Sequence, residues 1–387
     1  MSTSPTSSSS SHGGVDHLDL LLVLEQTLGN AVHGANLERA LAGVSEVTAR
    51  VVRLHYKASW RRRWPVLGNW TLESSLRARR QVRRLAADRP PNALYVHTAV
   101  PAGLLLDVMR RIPTVLSTDA TPRNLDTVAS GYGHRVRAEL IEQGKQRFTA
   151  SVYRAAKAVV AQSSWAADSL VHDYGVAPAR VHVLSQGADV DAFYTGPPAA
   201  RAGRPLRLLF VGRNFTRKGG QILLDAVSEL RDDVELDVLT GHDAASALRR
   251  TSGVPVNVRL HTDLDHGSPI FLRLFQDADA FVLPTLGDAA PLVLGEALAA
   301  GLPIVSTSIG AVPEMAVDGV TGFVVPPGSV AALVTALRCL IGNDALRLAM
   351  SARARALALE RYDARTNNER VLDLLRTVST DSGLRAS

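Results

Sequence analysis

Asp288-Ala-Ala-Pro-Leu-Val-Leu-Gly-Glu-Ala-Leu-Ala-Ala-Gly-Leu-Pro-Ile-Val305 sets two carboxylates, Asp288 and Glu296, eight positions apart. A hydrophobic strand, Ala280 to Leu283, leads into it, and a turn into a helix lies between the two acids. The helix start offers free backbone N–H groups, near Leu292 and Val293, to an anion such as a diphosphate. Glu296 falls about a turn inside the helix, where it can accept two hydrogen bonds from ribose hydroxyls. Asp288 precedes the helix and faces whatever hangs from the phosphate. Charges on a helix are more often a solvated face, so this window gains its weight from a second one upstream.

The second window is Leu208-Leu-Phe-Val-Gly-Arg-Asn-Phe-Thr-Arg-Lys-Gly-Gly220. A buried strand, Leu206 to Val211, ends at Gly212. A helix then shows apolar residues at Ile222, Leu223, Ala226, Val227 and Leu230, which is helical spacing. Arg213 and Lys218 flank the turn between them. An Arg fork and a Lys point charge suit a pyrophosphate. The chain carries neither Gly-x4-Gly-Lys-Ser/Thr nor Gly-x-Gly-x-x-Gly, which argues against a P-loop enzyme and an ordinary dinucleotide dehydrogenase.

Outward from these windows, short apolar runs alternate with helical patterns, which predicts parallel sheets with crossover helices. Strands are expected at Asp19 to Leu24, Val47 to His55, Ala93 to Val96, Thr114 to Ser117, Ala158 to Ala161 and Val181 to Leu184. Glu25 to Gly34 reads as a loop that opens into a helix at Asn36. The pattern breaks at Thr195-Gly-Pro-Pro-Ala-Ala-Arg-Ala-Gly-Arg-Pro205, an interdomain linker by composition. A second alternating block follows to about Ile341, and terminal helices over Ala345 to Val378 are expected to pack across both halves. Ligands of open α/β sheets sit at the carboxyl ends of the strands. That rule gathers Gly34 and its loop, His97, the segment from Ser117 to Thr121, and both windows.

The Gly-Arg-x4-Lys-Gly pattern at Gly212 to Gly219 resembles the donor-phosphate clamp of retaining family-4 glycosyltransferases (glycosyl transferases group 1). Asp288 and Glu296 resemble the same family's acidic-x7-Glu signature, with Asp standing where the family usually has Glu. Ala161-Gln-Ser-Ser-Trp165 and Ser185-Gln-Gly-Ala-Asp-Val-Asp-Ala-Phe193 are similar to segments that close the family's first domain. Ser308-Ile-Gly-Ala-Val-Pro-Glu314 with Asp318-Gly-Val-Thr-Gly322 looks like its Gly-x2-Pro-Glu and Asp-Gly-x-x-Gly run. The resemblance implies the α/β GT-B fold, two Rossmann-like domains facing a central cleft, with a C-terminal helix crossing back. The expected division is 1–17 as a disordered Ser-rich tail and 18–195 as the acceptor-side domain. The nucleotide-sugar domain would occupy 206–345, with C-terminal helices and tail over 346–387.

The resemblance also implies roles. Arg213, Lys218, Leu292, Val293 and Glu296 would bind the donor, and Gly34 would let the backbone approach the diphosphate or the acceptor. Asp119 stands where relatives often place a His that contacts the transferred sugar; an acid there can bond a sugar hydroxyl or take a proton from the acceptor, and the plain alternative is a turn Asp before Pro122. Asp119, Asp288 and His97 are the catalytic candidates. No Asp-x-Asp motif lies in a suitable loop, so neither metal nor cofactor is expected. A UDP- or GDP-linked sugar is the expected co-substrate, transferred with retention to a lipid, glycan or small-molecule acceptor. A catalytically weak scaffold of the same fold and a sugar-nucleotide epimerase are the alternatives.

Composition narrows the setting. The chain has 387 residues, nearly half of them apolar, enough for two cored domains. The single cysteine, Cys339, forms no internal disulfide and reads as a buried helix residue, which fits a cytoplasmic protein. The Ser-rich start has no basic end or apolar core, so a signal peptide is not expected. From Arg50 to Arg89 there are twelve basic residues against Glu73 and Asp88, with Trp60, Trp64 and Trp70 among them. Leu72, Leu76, Val82, Leu85 and Ala86 read as one side of a helix with arginines around the rest. That suits either an anionic membrane surface, peripheral on the inner face, or a core-facing helix with a solvated Arg face. No motif points to nucleic acid.

Overall fold

The apolar run Leu18–Gln26 forms strand β1, buried along all but its last residue, as only a central parallel strand covered on both faces can be. The structure is a computed structural model that describes residues 17–26, 29–55, 70–128, 139–251 and 255–383. The Ser-rich tail, apart from His17, lies outside those residues, as do Trp60 and Trp64. The first half continues with β2 (Val47–His55), β3 (Ala93–His97), β4 (Thr114–Thr118), β5 (Ala158–Ala161) and β6 (Val181–Val183). They build a six-stranded sheet in the order β2-β1-β3-β4-β5-β6, every pairing parallel. The second half has β7 (Leu206–Val211), β8 (Val234–Leu239), β9 (Val258–His261), β10 (Ala280–Leu283), β11 (Ile304–Thr307) and β12 (Gly322–Val325). Their sheet runs β12-β11-β10-β7-β8-β9, again parallel. Edge strand β2 is only partly buried, while the inner strands β3, β4, β10 and β11 are buried throughout.

Helices of eight residues or more cover the sheets. They are α1 (Gly29–Ala42), α2 (Trp70–Asp88), α3 (Glu139–Ala155), α4 (Ser164–His172), α5 (Gly220–Leu230) and α6 (His242–Thr251), then α7 (Pro269–Asp277), α8 (Leu292–Ala299), α9 (Val330–Gly342), α10 (Asp344–Arg361) and α11 (Ala364–Gly383). One face of the first sheet packs Leu21 and Val23 of β1 with Ala78 and Val82 of α2. The other packs Leu20, Leu22 and Leu24 with Leu37 and Leu41 of α1 and with Val371, Leu372, Leu375 and Val378 of α11. The last helix therefore seals the first sheet. Met350, Ala354 and Ala358 of α10 belong instead to the core of the second half. That helix starts at Asp344, so the expected boundary after residue 345 cuts through its first turn.

The linker is tied to the second half by arginines. Fully buried Arg347 donates from Nε to Asp344 at 2.7 Å and from Nη2 to the Ala199 carbonyl at 2.7 Å. Arg204 forks onto Asp279, with its Nη2 at 2.9 Å.

Three expectations are corrected. Gly34 is not in a loop: β1 runs to Gln26 and α1 starts at Gly29, so Gly34 lies inside the helix. A Cβ there would come 3.3 Å from both Gln26 Nε2 and Leu24 Cδ1, so the residue serves the approach of helix to strand and not of backbone to ligand. Cys339 is exposed, because Leu333, Leu337 and Leu340 hold the inward stripe of α9 and Cys339 falls beside it. Leu72 and Leu76 do not join Val82 in the core: at about 100° per residue they point well away from the buried Ala78 and Val82 stripe, and both are exposed.

Candidate active site

Strand β7 delivers a tight loop. Its Gly212 N–H donates to Leu239 O at 2.9 Å, and the Lys218 side chain lies so close over Gly212 that an added Cβ would meet Lys218 Cγ at 2.9 Å. Gly219 has φ +77°, and a Cβ on it would sit 1.9 Å from Pro284 O. Only glycine fits there, and it presses the start of α5 against the loop that follows β10. That loop brings Asp288 to the cations. Lys218 Nζ forms an ion pair with Asp288 Oδ2, and Arg217 Nη1 stands 3.5 Å from Oδ1. Thr285 Oγ1 donates to Asp288 Oδ2 at 3.3 Å. The Asp288 side chain is buried, and so is its partnership with Lys218. Arg213 stands exposed outside this cluster. Arg217, which the sequence reading passed over, takes the inner place; its only signal was the Arg-Lys pair just before two glycines.

Helix α8 begins after Pro291, and no side chain caps it. The half-buried N–H groups of Leu292 and Val293 thus form an open positive end beside Asp288. One turn on, Glu296 is almost wholly buried, and its Oε1 lies 2.6 Å from Nε2 of His266. That contact takes one of the carboxylate's acceptor positions and leaves the others open for the two bonds expected from ribose hydroxyls.

In the first half, Asp119 ends β4 and is half-buried. Burial pushes its carboxyl up to about 6, helped by the like charges of Glu25 and Asp288, while the backbone N–H groups of Asp119 and Ala120 oppose the shift. Two further acids, one from each half, therefore act on Asp119. Glu25 is buried at the end of β1 and accepts 2.7 Å from Thr98 Oγ1. Thr98 holds φ +70°, a strained value for a β-branched residue. Its N–H bonds Ser117 O at 2.9 Å, so bonds at both ends fix it. The sequence pattern carried no signal for Glu25 or Thr98.

His97 is fully buried, which corrects its expected contact with an acceptor. Neither ring nitrogen has a hydrogen-bond partner among the described residues, and its ring packs 4.6 Å from that of His33. Burial holds its pKa well below the usual range, with the charge of His33 adding to the effect. His33, lowered to about 4 by burial, bonds Tyr95 Oη at 2.9 Å. The two rings pack as a neutral, buried pair.

The halves also touch directly. Glu314 Oε2 and Oε1 accept from the N–H groups of Ser164 and Trp165, at 2.9 and 2.7 Å, so a carboxylate of the second half caps α4 of the first.

Comparison with known proteins agrees with this geometry. Residues 31–192 match the family described as Glycosyltransferase Family 4, and residues 205–343 match Glycosyl transferases group 1. A phosphatidyl-myo-inositol mannosyltransferase of Mycobacterium leprae is 33% identical over 51% of this chain and 54% of its own length. A GDP-mannose-dependent alpha-(1-6)-phosphatidylinositol monomannoside mannosyltransferase of Mycolicibacterium smegmatis is 28% identical over 76% of this chain and 79% of its own. The chain spans about half the length of the first curated relatives it matches. Among solved structures, sucrose-phosphate synthase from Thermosynechococcus elongatus superposes with a TM-score of 0.73 at 15% identity, covering 94% of this chain and 100% of that one. The two parallel sheets, with the last helix returning to the first, are the GT-B arrangement. One family is thus matched over each half: the first carries a Glycosyltransferase Family 4 domain and the second a Glycosyl transferases group 1 domain.

Proposed function

We propose that the protein moves a sugar from a nucleotide-sugar donor to a lipid, glycan or small-molecule acceptor, with retention and without a metal ion. The observation that carries this reading is the convergence of Lys218, Arg217, Asp288 and the uncapped start of α8 at the carboxyl ends of β7 and β10. Two cations and a helix end provide the positive field that a departing diphosphate requires. Glu296 on the same helix is left to meet the ribose. In the step proposed, the bond from the sugar's anomeric carbon to the β-phosphate oxygen breaks, and the acceptor oxygen bonds that carbon on the same face. The acceptor proton passes to the departing phosphate oxygen. Asp288 and Asp119, the acids after β10 and β4, are assigned to hydroxyls of the transferred sugar or the acceptor. The relatives named for GDP-mannose and for phosphatidylinositol mannosides support a nucleotide-sugar donor and a lipid acceptor.

Thermal stabilisation by a panel of UDP-, GDP- and ADP-sugars, with EDTA present, tests this reading. One nucleotide should give a clear shift, and Lys218→Ala should remove it. Turnover in that variant should fall by a factor of about 100 or more, the scale for losing one charge-stabilising group. Unchanged turnover in Lys218→Ala, or stabilisation that requires added metal, would overturn the assignment or its metal-independent form.

We also propose that the first half docks on an anionic membrane through α2. Leu72, Leu76, Arg79 and Arg83 share one stripe of that helix by their spacing, and the two leucines are 37% and 52% exposed. Phe148 of α3, 47% exposed, adds to the apolar surface. Arg79, Arg83 and Arg111 converge on the single acid Asp107, so the patch keeps surplus positive charge. No helix among the described residues is long and apolar enough to cross a membrane.

A further inference from the structure

The donor-site reading gives Glu296 to the ribose, so whatever holds Glu296 governs what it offers. Its holder is His266, in the loop between β9 and α7. Gly267 at φ +76° turns the chain there, Ser268 N bonds Asp265 O at 3.1 Å, and the His266 ring lies 5.0 Å from that of Phe271 at a tilt of 49°. These contacts aim Nε2 at Glu296 Oε1, 2.6 Å away. The carboxylate is 5% exposed and the imidazole 42%, so the ring is the outer member of the pair. A carboxylate has about four acceptor positions. His266 occupies one on Oε1 and fixes the plane of the group, leaving Oε2 available.

We propose that His266 is a positioning residue of the donor subsite. It anchors Glu296 through Oε1 so that Oε2 accepts a hydrogen bond from a ribose hydroxyl, and it thereby sets the preference for ribonucleotide over 2′-deoxyribonucleotide donors. This rests on the donor-site reading above. Two charged groups act on the ring: Glu296, which raises its pKa above the ordinary value, and Arg39 of α1, which works against that rise together with burial. Its folded pKa being raised, His266 is charged and holds Glu296 most firmly at low pH, and the grip weakens as pH climbs through that raised value.

The test is titration calorimetry on the full chain with UDP, GDP and ADP and with their 2′-deoxy forms, followed across pH 5.5 to 9 for the base that binds tightest. Wild type should prefer the ribose form about tenfold, the value of one hydrogen bond to a charged group, and the preference should shrink toward high pH. His266→Ala should lose most of that preference, with the ribose form weakened far more than the deoxy form. His266→Gln keeps a donor without a titrating charge, so it should retain the preference at pH 7 and show no pH dependence. A merely structural role would weaken both forms equally, and an unchanged ribose-to-deoxy ratio in His266→Ala overturns the inference. If His266→Ala fails to fold, the pH profiles of wild type and His266→Gln decide: parallel profiles overturn it. Lys218→Ala separates the two claims. If it weakens all nucleotides while the His266 variants keep the wild-type ratio, only the inference falls. If wild type binds none of the six, or Lys218→Ala binds as wild type does, the donor-site reading falls and takes the inference with it.

Discussion

Asp119 shows what a single side chain contributes. Its folded pKa of about 6 lies above the ordinary carboxylate value of 3.8. A raised acid favours the folded state fully below pH 4 and loses that advantage as pH rises to 6, because the protein must then hold a charge that burial and two like charges disfavour. Asp119→Asn should therefore match wild type in chemical denaturation at pH 3.5 and exceed it by about 1–2 kcal/mol at pH 7, after discounting for the exposed part of the group. The sequence placed Asp119, Asp288 and Lys218 in the turns that follow strands and Glu296 a turn inside α8, since a strand followed by a helix fixes where the loop must be. It said nothing about which cation turns inward. Arg213 and Arg217 differ by four positions in one loop, and Arg217 is the one held against the loop after β10, its carbonyl accepting from Leu286 N at 2.8 Å and its Nη1 donating to Gly287 O.

At the level of elements, glycines separate two kinds of close approach. Gly219→Ala would force a left-handed residue to carry a Cβ into a carbonyl 1.9 Å away. We expect at least about 2 kcal/mol of destabilisation, from backbone strain and displacement of the loop, and loss of nucleotide-induced stabilisation with it. Gly34→Ala meets only side-chain ends at 3.3 Å. There the gain in helix propensity, about 1 kcal/mol, offsets the crowding, so its melting temperature should stay within a few degrees of wild type. A large loss of nucleotide binding in Gly34→Ala would show that this turn of α1 does meet the donor. The strands Ala158–Ala161 and Ala280–Leu283 were legible to the residue, because strands buried on both faces are continuous apolar runs; Leu206–Val211 was legible despite Arg207, being set off by Pro205 and Gly212. The start of α1 was not, since Gly29-Asn-Ala lacks an acidic first turn and two glycines punctuate the helix. The face of α2 was misread because its leucines follow the arginine stripe and its core side relies on small Ser74, Ser75 and Ala78.

For the molecule as a whole, charge and shape point the α2 face outward. Full-length protein should co-sediment with vesicles rich in phosphatidylglycerol at low salt and should release as ionic strength rises. Neutralising Arg80 and Arg84 together with Leu76→Ser should reduce binding severalfold while leaving nucleotide-induced stabilisation intact; wild-type binding in that variant would remove α2 from the docking surface. The GT-B outline was readable from the two windows and the Pro/Gly linker. The cap of Glu314 on α4 was not, since no local pattern reports a carboxylate meeting a helix start 150 positions away. The return of α11 has a further consequence, for synthesis. The second half has all of its core residues, through Tyr362 just past α10, before α11 is made. The first half, although made earlier, lacks Val371, Leu372, Leu375 and Val378 until α11 emerges. That face of the older sheet is covered by α1 alone until α11 docks, so the half begun earlier is completed later.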